Sequence, residues 1–220
     1  MAKLVWDQSG ERLYETGVKN AVLYKWDQTK SAYGAGVAWN GVTGITESPS
    51  GADATSYYAD DQKYLELRGA EDFGCTIEAY MYPDEWMECD GSATPVDGLT
   101  IGQQTRVRFG LCYRTVIGND TDGDNHGYKL HIIYNSTASP SEKAYQSIND
   151  SPEPNSMSWE ASSTPINVTG YKATSVITID STKVNADKLA ALEEILYGSE
   201  SVEPKLPLPD EVIATLKGNG

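Results

Sequence analysis

Alternation between apolar and polar positions runs through most of this chain, and the helical period is rare. In "RVRFGLCYRT", Val107, Phe109, Leu111 and Tyr113 fall on one side of an extended backbone. Arg106, Arg108, Cys112 and Arg114 fall on the other. "FGCTIEAYMYP" likewise sets Cys75, Ile77, Ala79 and Met81 against Thr76, Glu78, Tyr80 and Tyr82. Pro83 has no N–H to give a ladder and predicts the end of that strand. "NAVLYKW", "AGVAWN", "QKYLELR", "YKLHIIYN", "SMSWEAS" and "YKATSVITID" read as further strands, rich in β-branched and aromatic residues. "YKLHIIYN" is expected to pair with the strand before it, across "IGNDTDGDNHG".

The helical period is clear in one place. In "NADKLAALEEILYG", Leu189, Leu192, Ile195 and Leu196 make an apolar stripe, with Asn185 as N-cap and Gly198 just past the C-terminus. Three segments have neither period. Residues 1–16 are polar with scattered aromatics such as Trp6. Residues 41–61, "GVTGITESPSGADATSYYADD", read as a long inter-strand loop rich in Ser, Gly, Asp and Thr. Residues 199–220 hold "PKLPLP", which cannot bury itself and must lie along something, then one or two amphipathic turns.

The predicted fold is therefore mainly β: an antiparallel sandwich or barrel-like domain over 1–198, with one flanking α-helix, a long loop at 41–61 and an N-terminal arm at 1–16. A C-terminal arm over 199–220 completes it. At 220 residues and 23.9 kDa, the chain is long enough to carry one sizeable core without disulfides or metal.

Charge narrows the function. The 32 acids against 17 bases leave a net charge of −15, which disfavours stable binding to nucleic acid or to anionic membrane surfaces. No apolar run approaches the ~18 residues that suggest a membrane span. The N-terminus lacks the long apolar stretch of a secretory signal, so synthesis in a cytoplasm is expected. Cys75, Cys89 and Cys112 are an odd count at wide spacings and are expected as reduced thiols. The sequons at Asn119, Asn135 and Asn167 carry little meaning without a secretory route.

Asp120, Asp122 and Asp124 have the alternate spacing that opens an EF-hand loop. Glycine, however, stands fourth rather than sixth, and His131 stands where a bidentate Glu belongs. A solvated hairpin tip accounts for the same residues. No C-x-x-C exists, and the two histidines, His126 and His131, fit no structural zinc spacing. Asp84, Glu85, Glu88 and Asp90 around Trp86 could supply a glycosidase's carboxylate pair, but local acid clusters arise by chance in a chain this acidic. No G-x-S-x-G and no phosphate-binding glycine loop appears. The expectation is a non-enzyme without cofactors.

Several idiosyncratic strings point in one direction: "AWNGVTGITESPSGADATSYYADDQKYLEL", "TIEAYMYPDEWMECDG", "RFGLCYRTVIGND", "GYKLHIIYNSTASPSEKAYQSINDSPEP" and "ADKLAALEEILYG" with "PKLPLPDEVIATL". Together, and in this order over roughly residues 15–217, they resemble the major tail proteins of long-tailed phages of Gram-positive hosts, the tail-tube subunits. The resemblance implies a two-sheet β-sandwich with a flanking helix, assembling as hexameric rings that stack into a tube conducting the genome. The long loop of such proteins reaches the adjacent ring. By position this nominates Ile45, Tyr57, Tyr58, Asp60 and Asp61 as inter-ring contacts, with Trp6, Leu206 and Leu208 on the arms as further straps. Arg106, Arg108 and Arg114 are expected at subunit contacts paired with acids, and Glu66 and Glu78 as acids facing the lumen. Partners implied are further copies of the chain, a tape-measure protein, a tail terminator and a distal tail protein. DNA would pass through without stable binding, and the chain would reside in the virion after synthesis in the host cytoplasm. Alternatives are a contractile-tail or phage-derived tube subunit and, in another class, a calcium-dependent carbohydrate-binding sandwich built on Trp86 and "DTDGD".

Overall fold

The computed structural model describes residues 3–51, 53–147, 150 and 153–218. Ala52, inside the expected loop, and 148–149 and 151–152, inside the polar connection after "YKLHIIYN", lie outside the described residues, as do the chain's first two and last two positions. The chain forms β1 (Tyr14–Asp27), β2 (Ala32–Ala38), β3 (Val42–Glu47), β4 (Ser50–Gly51), β5 (Ala54–Ala59), β6 (Gln62–Arg68) and β7 (Glu71–Ala79). After these come α1 (Trp86–Cys89), β8 (Ala93–Val96), β9 (Leu99–Ile101), β10 (Phe109–Asn119), β11 (Gly123–Ala138), β12 (Met157–Ser163), β13 (Val176–Asp180), α2 (Ala186–Tyr197) and α3 (Pro209–Lys217). The predicted mainly β, antiparallel, sandwich-like class is what the structure has.

One nine-stranded sheet folds into two layers, in the order β2-β1-β10-β11-β12-β7-β3, with β13 added on β11 and β4 on β7. The long strand β11 belongs to both layers. Its first half pairs with β10 and β13, from Lys129 to Ile133. Ser136–Ala138 pair instead with β12. The corner is a bulge: Leu111 faces Ile133, but Phe109 faces Ser136, so β11 has one residue too many there. Asn135 takes φ 50° at this point, a left-handed conformation Asn tolerates.

The inner core fills the space between layers. Leu23, Phe109, Leu111 and Ile133 come from the first, Cys75, Ile77 and Trp159 from the second, and Trp39 and Trp86 pack in with them. The other face of the first layer is buried too. Val22, Tyr24, Cys112, Leu130, Ile132 and Tyr134 pack under Leu189, Leu192 and Leu196 of α2 and under Leu206 and Val212. Burial on both faces explains why "LHIIY" is apolar at every position but His131, while the second layer's strands alternate. The α2 caps are as expected: Asn185 Oδ1 accepts from the amides of Asp187 and Lys188 at 3.0 and 3.2 Å, and Gly198 closes the helix at φ 77°.

Three expectations need correction. Residues 41–61 are not an aperiodic loop but β3, β4 and β5. Between Val42 and Gly44 the register with β7 shifts, and that irregularity broke the period of two. Second, the flanking helix is not alone: α3 spans nine residues, and α1 adds one turn after Pro83. Third, the C-terminal segment does lie along something, as expected, but that surface is its own subunit, so Leu206 is not a strap to a neighbour. Leu206 is 2% exposed, the Pro204 carbonyl accepts from the Gly36 amide at 2.9 Å, and Tyr134 Oη donates to the Pro207 carbonyl at 3.0 Å. A Cβ on Gly110 would overlap Leu206 Cδ2, so the sheet has a glycine where this leucine enters.

Candidate interaction surfaces

β5 and β6 form a separate two-stranded sheet. Asp60 and Asp61 occupy its two-residue turn with φ 51° and 62°, the paired positive φ of a type I′ hairpin, so turn geometry accounts for both. The register places Thr55 opposite Leu67 and Tyr57 opposite Leu65, making one face apolar. Ser56 opposite Glu66 and Tyr58 opposite Lys63 make the other polar. Tyr57, Tyr58, Tyr64, Leu65 and Leu67 are all exposed, Tyr58 by 71%. A lone two-stranded hairpin is marginal in water, and this one shows an apolar face to solvent. Leu65 and Leu67 alternate with Tyr64 and Glu66 in "QKYLELR", but an alternating pattern does not say whose core the apolar face meets.

Ile45, expected beside Tyr57 and Tyr58, is instead partly buried against the inner core, opposite Ile77 on β7. Glu66 is not an open acid either: on the hairpin's polar face it pairs with Lys63 and, at 3.5 Å, with Arg68.

The outer face of β3, β7 and β12 has a different character. It carries Thr46, Thr76, Glu78, Ser158, Glu160 and Ser162, by register and strand alternation. Glu78 and Glu160 are exposed. None of these three strands contains Lys or Arg, so the face is small, polar and anionic. Sequence reading singled out Glu78 and missed Glu160, whose partner strand it did not assign.

The three arginines separate. Arg114 does pair with an acid, but within its own chain: Nη2 meets Glu193 Oε1 at 2.6 Å. Its guanidinium lies 4.5 Å and 4.9 Å from the ring centres of Tyr128 and Tyr197 and clamps α2 to the first layer. Burial, and then donation to Glu193, push the Tyr128 hydroxyl up to about 12. Arg106 is half-buried against Gly91. Arg108 is exposed, and its Nη1 donates to Asn135 Oδ1 at 3.2 Å.

Arg108 edges a pocket of about 420 Å³ with Trp26, Tyr33, Ile166 and Leu208. Trp26 and Tyr33 meet edge to face, 5.1 Å apart. Sequence reading named Arg108 and Leu208 separately, and the structure brings them to one site. Trp6 is 74% exposed at the other end of β1, beside exposed Leu4 and Val5.

The remaining motifs are used structurally. Asp120 accepts from the Gly10 amide at 3.0 Å, Asp122 from Asn119 Nδ2 at 3.0 Å, and Asp124 from Tyr14 Oη at 2.9 Å, so the three carboxylates serve different donors. Among the described residues no group of three or more His, Cys, Asp and Glu is placed to hold a metal ion. Trp86 is fully buried in the inner core and offers no sugar platform. Glu88 pairs with Lys25 at 2.9 Å and Asp90 with Lys143 at 2.5 Å. Cys75, Cys89 and Cys112 are free and buried, and burial pushes each thiol up to about 12.

A polar cluster that sequence reading missed ties β3 of the second layer to β1, β10 and β11 of the first. His131 stacks on Tyr113 at 4.7 Å, with Glu15 Oε1 3.6 Å from Nε2 and Glu47 Oε1 3.4 Å from Nδ1. Tyr113 Oη donates to Glu47 at 2.6 Å. The bond from His131, outweighing burial and joined by the one from Tyr113, holds Glu47 below the usual carboxylate range. Burial opposes ionisation of Glu15, but Lys129 and Thr115 outweigh it and lower that carboxyl too. No helix among the described residues is long and apolar enough to cross a membrane. The chain matches no family model and no curated protein.

Proposed function

We propose that this chain is a structural subunit that polymerises with copies of itself, as stacked hexameric rings, into the tail tube of a long-tailed phage, the conduit for genome delivery into the bacterial host. The observation that carries the reading is the β5–β6 hairpin. It stands outside both cores with Tyr57, Leu65 and Leu67 on one exposed face, a surface that gains by being covered. Tyrosine suits the task, giving much contact area for little rotamer entropy.

The anionic face of β3, β7 and β12 supports the same reading as the lumen wall. Glu78 and Glu160 stand there without a Lys or Arg on any of the three strands. At physiological salt the Debye length is about 8 Å, so acids on the wall repel DNA only as it slides close by, which favours passage over sticking. The tape-measure protein, tail terminator and distal tail protein would be partners at the tube's interior and ends, and the virion its place of residence. No catalytic step is assigned to the chain.

Negative-stain electron microscopy and light scattering of the purified chain, across a concentration series, test this. Hollow tubes or rings of fixed diameter that grow with concentration are expected. A strictly monomeric particle across the series overturns the reading.

A further inference from the structure

We infer that the Arg108 pocket is the receptor for the N-terminal arm of a second copy of this chain, with Trp6 seated on its aromatic wall and Asp7 paired with Arg108. The inference rests on the self-assembly reading above and specifies which segment enters which site.

The arm lacks a home on its own subunit. Leu4, Val5 and Trp6 are three consecutive large apolar residues, all exposed. The segment is tied to the first layer at Gly10, whose amide donates to Asp120 and whose carbonyl accepts from Asn119 at 3.1 Å. Within the arm, Arg12 Nη2 donates to the Asp7 carbonyl at 3.2 Å and its Nε lies 4.0 Å from Asp7 Oδ1, an exposed pair that Arg108 of a second copy would replace. The Gly10 anchor sits at the β10–β11 turn, one end of the first layer.

The pocket sits at the opposite end. Trp26 is near the last residue of β1, and its amide donates to the Arg108 carbonyl at 2.8 Å, just before β10 begins. From Phe109 to Asn119, β10 takes ten residue steps, about 33 Å at a strand's rise. The seven residues from Lys3 to Ser9 reach at most about 25 Å when fully extended. An arm therefore cannot fill its own subunit's pocket. A copy placed head to tail can offer it, and such a heterologous contact repeats without limit or closes into a ring.

The chemistry matches in kind. The arm reads cation, apolar, anion, with Lys3, then Leu4 to Trp6, then Asp7. The pocket is lined by the cation Arg108, by Trp26, Tyr33 and Leu208, and by the acids Asp210 and Glu211. Asp210 accepts from the Thr169 amide and hydroxyl, and those bonds hold its carboxyl below the usual range, hence anionic. Among the described residues the Arg108 side chain has one hydrogen bond, to neutral Asn135, and no carboxylate pairs with it. A volume of about 420 Å³ lies within the ~300–1,000 Å³ typical of small-ligand pockets and admits one indole with its neighbours.

The test is a charge exchange in the full chain. Asp7→Arg and Arg108→Asp alone should each raise the concentration needed for assembly by about tenfold, and combining them should recover most of that loss. Trp6→Ala should weaken assembly at least as much. In parallel, a synthetic peptide of residues 3–10 is titrated calorimetrically into the Trp6→Ala chain and into Trp6→Ala with Arg108→Asp. Binding by the first and not the second supports the docking, even if the wild-type chain never forms tubes, in which case only the tube reading fails. Tubes that form with unchanged concentration dependence in all the variants overturn the docking and leave the tube reading standing. Absence of peptide binding overturns it as well.

Discussion

The two ends of this chain carry similar freight and are treated in opposite ways. Each offers exposed-looking apolar residues in a polar, irregular stretch: Leu4, Val5 and Trp6 at one end, Leu206 and Leu208 at the other. Leu206 is spent inside its own subunit, where Gly36 and Gly110 leave room for the segment and Tyr134 bonds its backbone. Trp6 has no such receptor within reach. The difference lies in the surface opposite the segment and not in the segment. An apolar strap stays with its own chain when that chain has glycines where the strap's groove must be.

The sharpest way to break this comparison is to empty the groove. Leu206→Ala should cost about 2–5 kcal/mol of unfolding free energy, as for other buried leucines. Trp6→Ala should stay within about 0.5 kcal/mol of wild type, the range of exposed positions. Urea denaturation of both variants checks the contrast, and equal losses would erase it. Filling the groove comes next. Gly110→Ala would press on Leu206 Cδ2 and sit 3.2 Å from the Ile133 carbonyl, so about 1–3 kcal/mol should be lost.

The cap under α2 sets a smaller mark. Asn185→Ala should cost ~1 kcal/mol by the same measurement, since two amides lose their acceptor. Leu67→Ser on the hairpin should move unfolding by no more than about 0.5 kcal/mol while lowering the assembled fraction in sedimentation, the same split as Trp6. Acid gives the last test. Glu15 and Glu47 both have lowered carboxyls, so their contribution is present above the ordinary value of 4.5 and is lost as pH falls through their folded values. The melting temperature should therefore drop below about pH 4.5, and Glu47→Gln should flatten that drop.

Much of the fold was legible because burial writes a period. Phe109, Leu111 and Tyr113 against Cys112 and Arg114 named two faces correctly, and Asn185 and Gly198 marked α2 at both ends. What stayed illegible lacks that signature for identifiable reasons. The register shift at Val42–Gly44 erased the alternation of β3. The hairpin β5–β6 meets no core, so nothing imposed a pattern on Thr55 or Ser56. The pocket joins Trp26, Arg108 and Leu208 across a strand pairing and a helix start, distances along the chain that local reading does not span. Arg114 was placed with an acid, as expected, but charge alone does not say that the acid is Glu193 of the same chain.

The five tryptophans divide along the same line, which makes the protein its own reporter. Trp39, Trp86 and Trp159 form a single indole cluster, with ring centres 4.6 to 5.8 Å apart. Chromophores that close couple their transitions, so the near-ultraviolet circular dichroism of the subunit should be dominated by this triad and vanish only when the inner core melts. Trp6 and Trp26 stand apart from it, one on the arm and one in the pocket. Their emission should shift when copies meet, and the dichroism should not. Assembly and unfolding thus have separate optical channels in the unlabelled chain.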